Sequence, residues 1–201
     1  MQKPAPTAVP IHELLQNRWS PRAFSNKAVP EELLHALFEA ARWAPSSSNY
    51  QPWAYIVGTK DHPENFAKVL STLVEFNAGW AKNAPVLVLS VAQTKVPKDG
   101  SPNRHAFHDV GSATAQLTFE ANSRGLYVHQ MAGFDANKAR EVFAIPADWD
   151  AVAAMAIGYP GDPQTLPDKL RERELAPRTR KPLSEFVMTG TWGHTPTFAS
   201  K

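Results

Sequence analysis

The chain has 201 residues, 43% of them apolar and 20% charged, with a formal net charge of +2. That composition builds a globular domain with a real core and excludes a disordered chain, and so small a net charge gives no footing for nucleic acid. The absence of cysteine excludes disulfides, thiol nucleophiles and thiolate-bound metals, and no apolar run approaches the ~18 residues of a membrane helix.

Residues 1–10 hold three prolines and few large apolar groups, and read as an extended N-terminal arm ahead of a single domain over 11–187. Ile11 to Asn17 is a short helix candidate. A clearer helix opens at Val29-Pro30-Glu31-Glu32, with acids in its first turn, and carries Leu33, Leu34, Leu37, Phe38 and Ala41 at helical spacing as far as Pro45. Trp53–Val57 is a strand, and Pro63 to Phe76 a third helix with Phe66, Leu70, Leu73 and Phe76 on one side. Pro85–Ala92 is almost wholly apolar and predicts a strand buried on both faces.

Lys95–Pro102 is a loop. Residues 105–124 form a long helix of about 30 Å, rich in small residues and ended by Gly125. Leu126–Met131 is a strand, and Asp135 caps a helix running to Phe143. Ala151–Ile157 is a further small apolar strand, residues 166–175 are helical, and Lys181–Val187 adds a short element. Residues 188–201 are rich in Gly, Thr and Pro and read as an extended C-terminal tail. The elements alternate without a simple doubly wound order, so the expected fold is α+β, with helices around a central sheet.

Two segments carry the chemistry. If residues 18–22 are extended, Arg18, Ser20 and Arg22 share one side, and Pro21 disfavours helix at Ser20. Two guanidiniums and a hydroxyl on one face suit a phosphate. Arg178 and Arg180 repeat the two-residue spacing near the other end. The second segment, Ala-Pro-Ser-Ser-Ser-Asn-Tyr-Gln at 44–51, ends a helix with small polar groups that suit a flat polar ligand. Together they point to a flavin nucleotide. The competing reading makes the arginines partners of Glu31, Glu32 and Glu185, and the serine loop a turn whose hydroxyls bond local backbone. His105, His108 and Asp109 do not make a zinc set, and no metal site is expected.

The order of these motifs resembles the nitroreductase family of FMN-dependent oxidoreductases. Arg-x-Ser-x-Arg is followed by about 20 residues of amphipathic helix and then by Ala-Pro-Ser-Ser-x-Asn-x-Gln-Pro-Trp. Asp109-Val110-Gly111, Gly133-Phe134-Asp135, Gly158-Tyr159-Pro160 and Arg180-Lys181-Pro182-Leu183 then fall in order. The resemblance implies a nitroreductase-like fold, with a mixed or antiparallel sheet and the long helix at a homodimer interface. It implies FMN held by Arg18, Trp19, Ser20, Arg22, Arg178 and Arg180 at the phosphate and ribityl chain. Pro45, Ser46, Ser47 and Asn49 would reach the flavin from the other subunit, and a backbone N–H of Ala132 or Gly133 would lie near flavin N5. Two departures stand out. Members often bind the ring's pyrimidine edge with an Asn and a Lys one helical turn apart. Here Asn77 and Lys82 are five positions apart, and Ala132 replaces a common acid.

The lack of cysteine, of a signal-like N-terminal segment and of a membrane-length apolar run leads to the expectation of a cytoplasmic protein. The resemblance further implies an enzyme that takes hydride from NADH or NADPH and passes electrons to a nitroaromatic, quinone or similar acceptor by ping-pong kinetics. No catalytic side chain is required, and neither nucleic acid nor membrane is a partner. The alternatives are a non-enzymatic flavin-binding protein, a same-fold enzyme with other flavin chemistry, and a phosphate- or protein-docking surface without flavin. The short loop between residues 91 and 103 leaves no segment for a large lid, which favours the simple reductase.

Overall fold

The computed structural model describes residues 2–200. Four strands, β1 (Trp53–Thr59), β2 (Val86–Gln93), β3 (Tyr127–Met131) and β4 (Trp149–Gly158), form one sheet in the order β1-β2-β4-β3. Every neighbouring pair is antiparallel, with Val57 opposite Val88, Val88 opposite Met155, and Met155 opposite Gln130. Of the two sheet types the sequence allowed, the antiparallel one forms.

The continuous apolar run of β2 is explained by helices on both faces. Val86 and Val88 pack toward α2 (Glu31–Arg42) and α5 (Ala106–Ser123), against Leu37, Ala41, Ala113, Leu117 and Ala121. Leu87, Leu89 and Val91 point the other way, toward α3 (Pro63–Ser71), α4 (Glu75–Ala81) and α6 (Ala136–Phe143). Alternation along β4 sorts its residues likewise: Met155 and Ile157 to the first layer, Ala154 and Ala156 to the second. Leu37 and Leu117 are fully buried, and burial of such side chains contributes roughly 1.5–3 kcal/mol each. The remaining helices are α1 (Glu13–Asn17) and α7 (Asp168–Leu175).

The helix expected over Pro63 to Phe76 is two helices, α3 and α4, broken at Leu73 and Val74. There the chain pairs with the turn after β3: Leu73 bridges Phe134, Val74 N–H donates to the Gly133 carbonyl at 3.2 Å, and Asp135 N–H donates to the Thr72 carbonyl at 2.7 Å. A tertiary pairing thus outweighs the helical period of the local sequence. Asp135 caps α6, its side chain accepting from Lys138 N–H at 3.0 Å.

The chain ends are only partly loose. Ala5 N–H donates to the Gln16 carbonyl at 2.8 Å, holding the N-terminal arm to α1. Residues 181–187 contribute one 3₁₀ turn, Leu183–Glu185. The C-terminal tail is not wholly extended, since it contains the 3₁₀ turn Thr197–Ala199 and buries Ala199, while Trp192 stays exposed. The stretch from β2 to α5 closes on itself through a Lys95–Pro102 bridge and bonds joining Val96 to Gly100 and Ser101.

Candidate functional site

Residues 18–25 form a fixed, extended border to the sheet. Phe24 bridges Pro160, Ser25 N–H donates to the Tyr159 carbonyl, and Gly161 N–H donates to the Ala23 carbonyl. A side chain at Gly161 would meet the Phe24 carbonyl carbon at 2.6 Å, so that crossing requires glycine. From beneath, His129 on β3 donates from Nδ1 to the Pro21 carbonyl at 2.9 Å; a carbonyl can only accept, so the ring proton sits on Nδ1. The ring packs 4.6 Å from that of Trp80. Burial lowers the His129 pKa to about 4, against the opposing bond to Pro21 and with help from nearby Arg22. It is therefore neutral at physiological pH.

The expected alternation holds. Arg18 Nη1 lies 3.4 Å from Ser20 Oγ, so both face one side. They line a cavity of about 290 Å³ together with Trp19, Arg22, Arg178, Arg180, Lys3, Arg173 and Glu174. Both ends of the chain meet there, as the spacing of the arginines suggested. Burial, and after it the charges of Arg178 and Arg180, push the Arg18 guanidinium below its ordinary value. Cations held this close repel one another, and a bound anion relieves that repulsion.

Glu174 was not anticipated. Its carboxylate is buried and accepts from Arg22 N–H at 2.9 Å and Ala23 N–H at 3.1 Å, with the Arg22 guanidinium 3.9 Å away. The competing partners Glu31 and Glu32 make no ion pair with these arginines; Glu185 pairs with Lys181. Arg22 Nε and Trp19 Nε1 are buried without a hydrogen-bond partner among the described residues. Arg178 spends one nitrogen on the carbonyls of Lys3 and Gln16, at 2.7 and 2.8 Å.

The turn after β3 is the second component. The Gly133 carbonyl accepts from Val74 N–H and from Asn77 Nδ2 at 3.0 Å, and a Cβ at Gly133 would fall 2.4 Å from that amide nitrogen. Among the described residues the N–H groups of Ala132 and Gly133 have no acceptor. Asn77 therefore sits at this turn, while Lys82 is exposed at the end of α4. From His129, which touches the anion segment, to Gly133 is four residues, about 13 Å of extended chain.

The serine loop is the third component, and it lies elsewhere. Ser47 N–H donates to the buried Asp109 carboxylate at 3.0 Å, near the start of α5. Ser46 Oγ accepts from Gln51 N–H at 3.0 Å. Ser48, Asn49 and Gln51 all take positive φ without being glycine, a strain that surrounding structure must hold. The helix α1, which leads directly into the anion segment at Arg18, meets α5 near its other end, where Asn122 Nδ2 donates to the Leu14 carbonyl. Thirteen residues of helix separate Asp109 from Asn122, about 20 Å. Pro45, Ser46, Ser47 and Asn49 line neither the anion cavity nor the Gly133 turn within one chain.

His108 Nδ1 lies 3.2 Å from Asp109 Oδ1, but no group of three or more metal-ligating side chains occurs among the described residues. No helix among them is long and apolar enough to cross a membrane.

An antiparallel sheet between two helical layers, with a cationic pocket built from both chain ends, defines an α+β protein suited to a phosphorylated ligand. Residues 15–159 match the nitroreductase family, and the chain belongs to it. Among solved structures it is similar to an oxidoreductase containing FMN, at 34% identity and a TM-score of 0.89, over 95% of this chain and 97% of that one. Iodotyrosine deiodinase 1 of Sus scrofa is 26% identical over 205 residues, covering 89% of this chain and 68% of that protein. A protein of Stenotrophomonas maltophilia provisionally named NADH dehydrogenase/NAD(P)H nitroreductase is 25% identical over 176 residues, 79% of this chain and 89% of that protein.

Proposed function

We propose that this protein is an FMN-dependent oxidoreductase that draws electrons from NADH or NADPH and delivers them to a flat electrophile such as a nitroaromatic or quinone. The observation that carries the reading is the cationic cavity of Arg18, Ser20, Arg22, Arg178 and Arg180, set about one strand length from two unclaimed backbone N–H groups. That arrangement fits FMN: a phosphate at one end, a ring at the other. Arg22 Nε, buried and without a partner among the described residues, leaves a further donor at the phosphate end unused by the protein. Bound FMN would supply the hydride chemistry at its N5.

The chain's own residues bind and orient. Arg18 and Ser20 present donors to the phosphate from one side of a rigid segment, and Arg180 approaches from the other end of the chain. Glu174 and His129 hold that segment's backbone, so the donors are placed before the ligand arrives. Ala132 and Gly133 offer N–H groups to the ring edge, and Asn77 fixes the turn that carries them. No side chain is required to transfer a proton within a fixed acid–base pair.

The separation of the serine loop from the pocket supports a homodimer, in which Pro45–Asn49 of a second copy completes the site. Phe107, Gly111, Ala115 and Phe119 recur every four residues along α5 and are exposed or half-buried. A side chain at Gly111 would meet nothing within 4 Å in the protomer, so the fold of one chain does not need that glycine. A second α5 packed there does.

The relative named iodotyrosine deiodinase keeps a second acceptor class in view. The closed turn between β2 and α5 gives no segment to cover a bulky acceptor, which favours the simple reductase.

The test is the visible absorbance spectrum of the purified protein before and after anaerobic addition of NADH or NADPH. We expect a flavin spectrum that bleaches. A flavin that stays oxidised points to a binding protein or another donor, and a protein that takes up no FMN overturns the reading.

A further inference from the structure

The N-terminal arm has no regular secondary structure, yet its contacts converge on the anion pocket. Arg178 donates to the Lys3 carbonyl. Ala5 exchanges bonds with Gln16, its N–H donating at 2.8 Å and its carbonyl accepting from the side-chain amide at 3.4 Å. Lys3 Nζ donates to the Glu174 carbonyl and stands 5.2 Å from the Trp19 ring centroid. The Lys3 side chain therefore lines the same cavity as Arg18, Ser20, Arg22 and Arg180.

We propose that Lys3 is a further phosphate-binding residue and that the arm forms a wall of the phosphate site, an inference that rests on the FMN reading above. The charge balance argues for it. Among the described residues six cations line the cavity, Lys3, Arg18, Arg22, Arg173, Arg178 and Arg180, against one carboxylate, Glu174. That carboxylate is already committed to the Arg22 and Ala23 N–H groups. An ammonium has three donors, and the Glu174 carbonyl takes one, leaving two for a ligand in the cavity. A cation half-buried among cations is unfavourable in the empty pocket and favourable beside a phosphate dianion. Burial lowers the Lys3 pKa, Glu174 opposes this, and Arg178 and Arg22 lower it further.

The alternative role is a staple: Lys3 ties the arm to the Glu174 carbonyl and does nothing for the ligand. Lys3→Gln separates the two, because its amide can still donate to a carbonyl but carries no charge. Flavin-free full-length protein is titrated with FMN and with riboflavin, which lacks the phosphate, by quenching of flavin fluorescence. The expected result is about tenfold weaker FMN binding for Lys3→Gln with riboflavin binding unchanged, and FMN binding within about twofold of the parent for Lys3→Arg. Parent-like FMN binding by Lys3→Gln overturns the proposal alone. An equal loss of both flavins marks a staple and overturns it too. A parent protein that binds FMN no more tightly than riboflavin overturns the phosphate reading, and this inference with it.

Discussion

The anion pocket and the serine loop were equally prominent as motifs, and the fold treats them in opposite ways. The pocket is assembled within one chain: a buried carboxylate and four of the predicted arginines line it, and a neutral histidine holds the Pro21 carbonyl of the segment that borders it. The loop is braced by Asp109 but stands about 20 Å along α5 from the point where α1, which leads into the anion segment, meets that helix. One site half is built by folding; the other, in the homodimer proposed above, would be supplied by association. Stability experiments should therefore report on the first, and association experiments on the second.

The largest effect is expected at Glu174. Glu174→Leu leaves the Arg22 and Ala23 N–H groups without acceptors and the Arg22 charge without its partner, a loss of about 3–5 kcal/mol. Urea unfolding measures it. A shift of under about 1 kcal/mol would show that the pocket does not depend on this carboxylate.

His129 gives a pH signature of similar size. Its pKa is about 4 in the folded chain and ~6.5 when unfolded. Between those values the unfolded chain holds a proton that the folded chain does not, so stability rises with pH. The contribution is complete above about pH 6.5 and is lost as pH falls toward 4, on the order of 3 kcal/mol in all. His129→Asn should flatten the stability profile over that window. An unchanged slope would remove His129 as its source.

Gly111→Leu probes the other half. The protomer has room for the side chain, and leucine favours helix over glycine by about 0.8 kcal/mol. The variant chain should fold at least as well as the parent while associating ~100-fold more weakly, about 2.7 kcal/mol. Sedimentation measures this, and a variant that still forms a full dimer would place the interface elsewhere.

Much of the fold was legible because its signals are local. The two-faced burial of β2, the length of α5 and the Asp135 cap each follow from a few neighbouring residues. The extended Arg18–Arg22 segment was legible too, since Pro21 restricts the backbone on its own. The break between α3 and α4 was not. Leu73 continues the apolar spacing of α3, and only its pairing with Phe134 ends that run.

The same division holds for the site. Residue chemistry by itself pointed from the arginines and the serine loop to a phosphorylated, flat ligand, because charge and hydrogen-bonding capacity belong to the side chains. Only the tertiary structure decided that Glu174, His129, Asn77 and Lys3 belong with them. All four act through carbonyls and N–H groups 56 to 171 residues away along the chain. Backbone groups are the same in every residue, so which ones a side chain will meet is set by how the chain is folded.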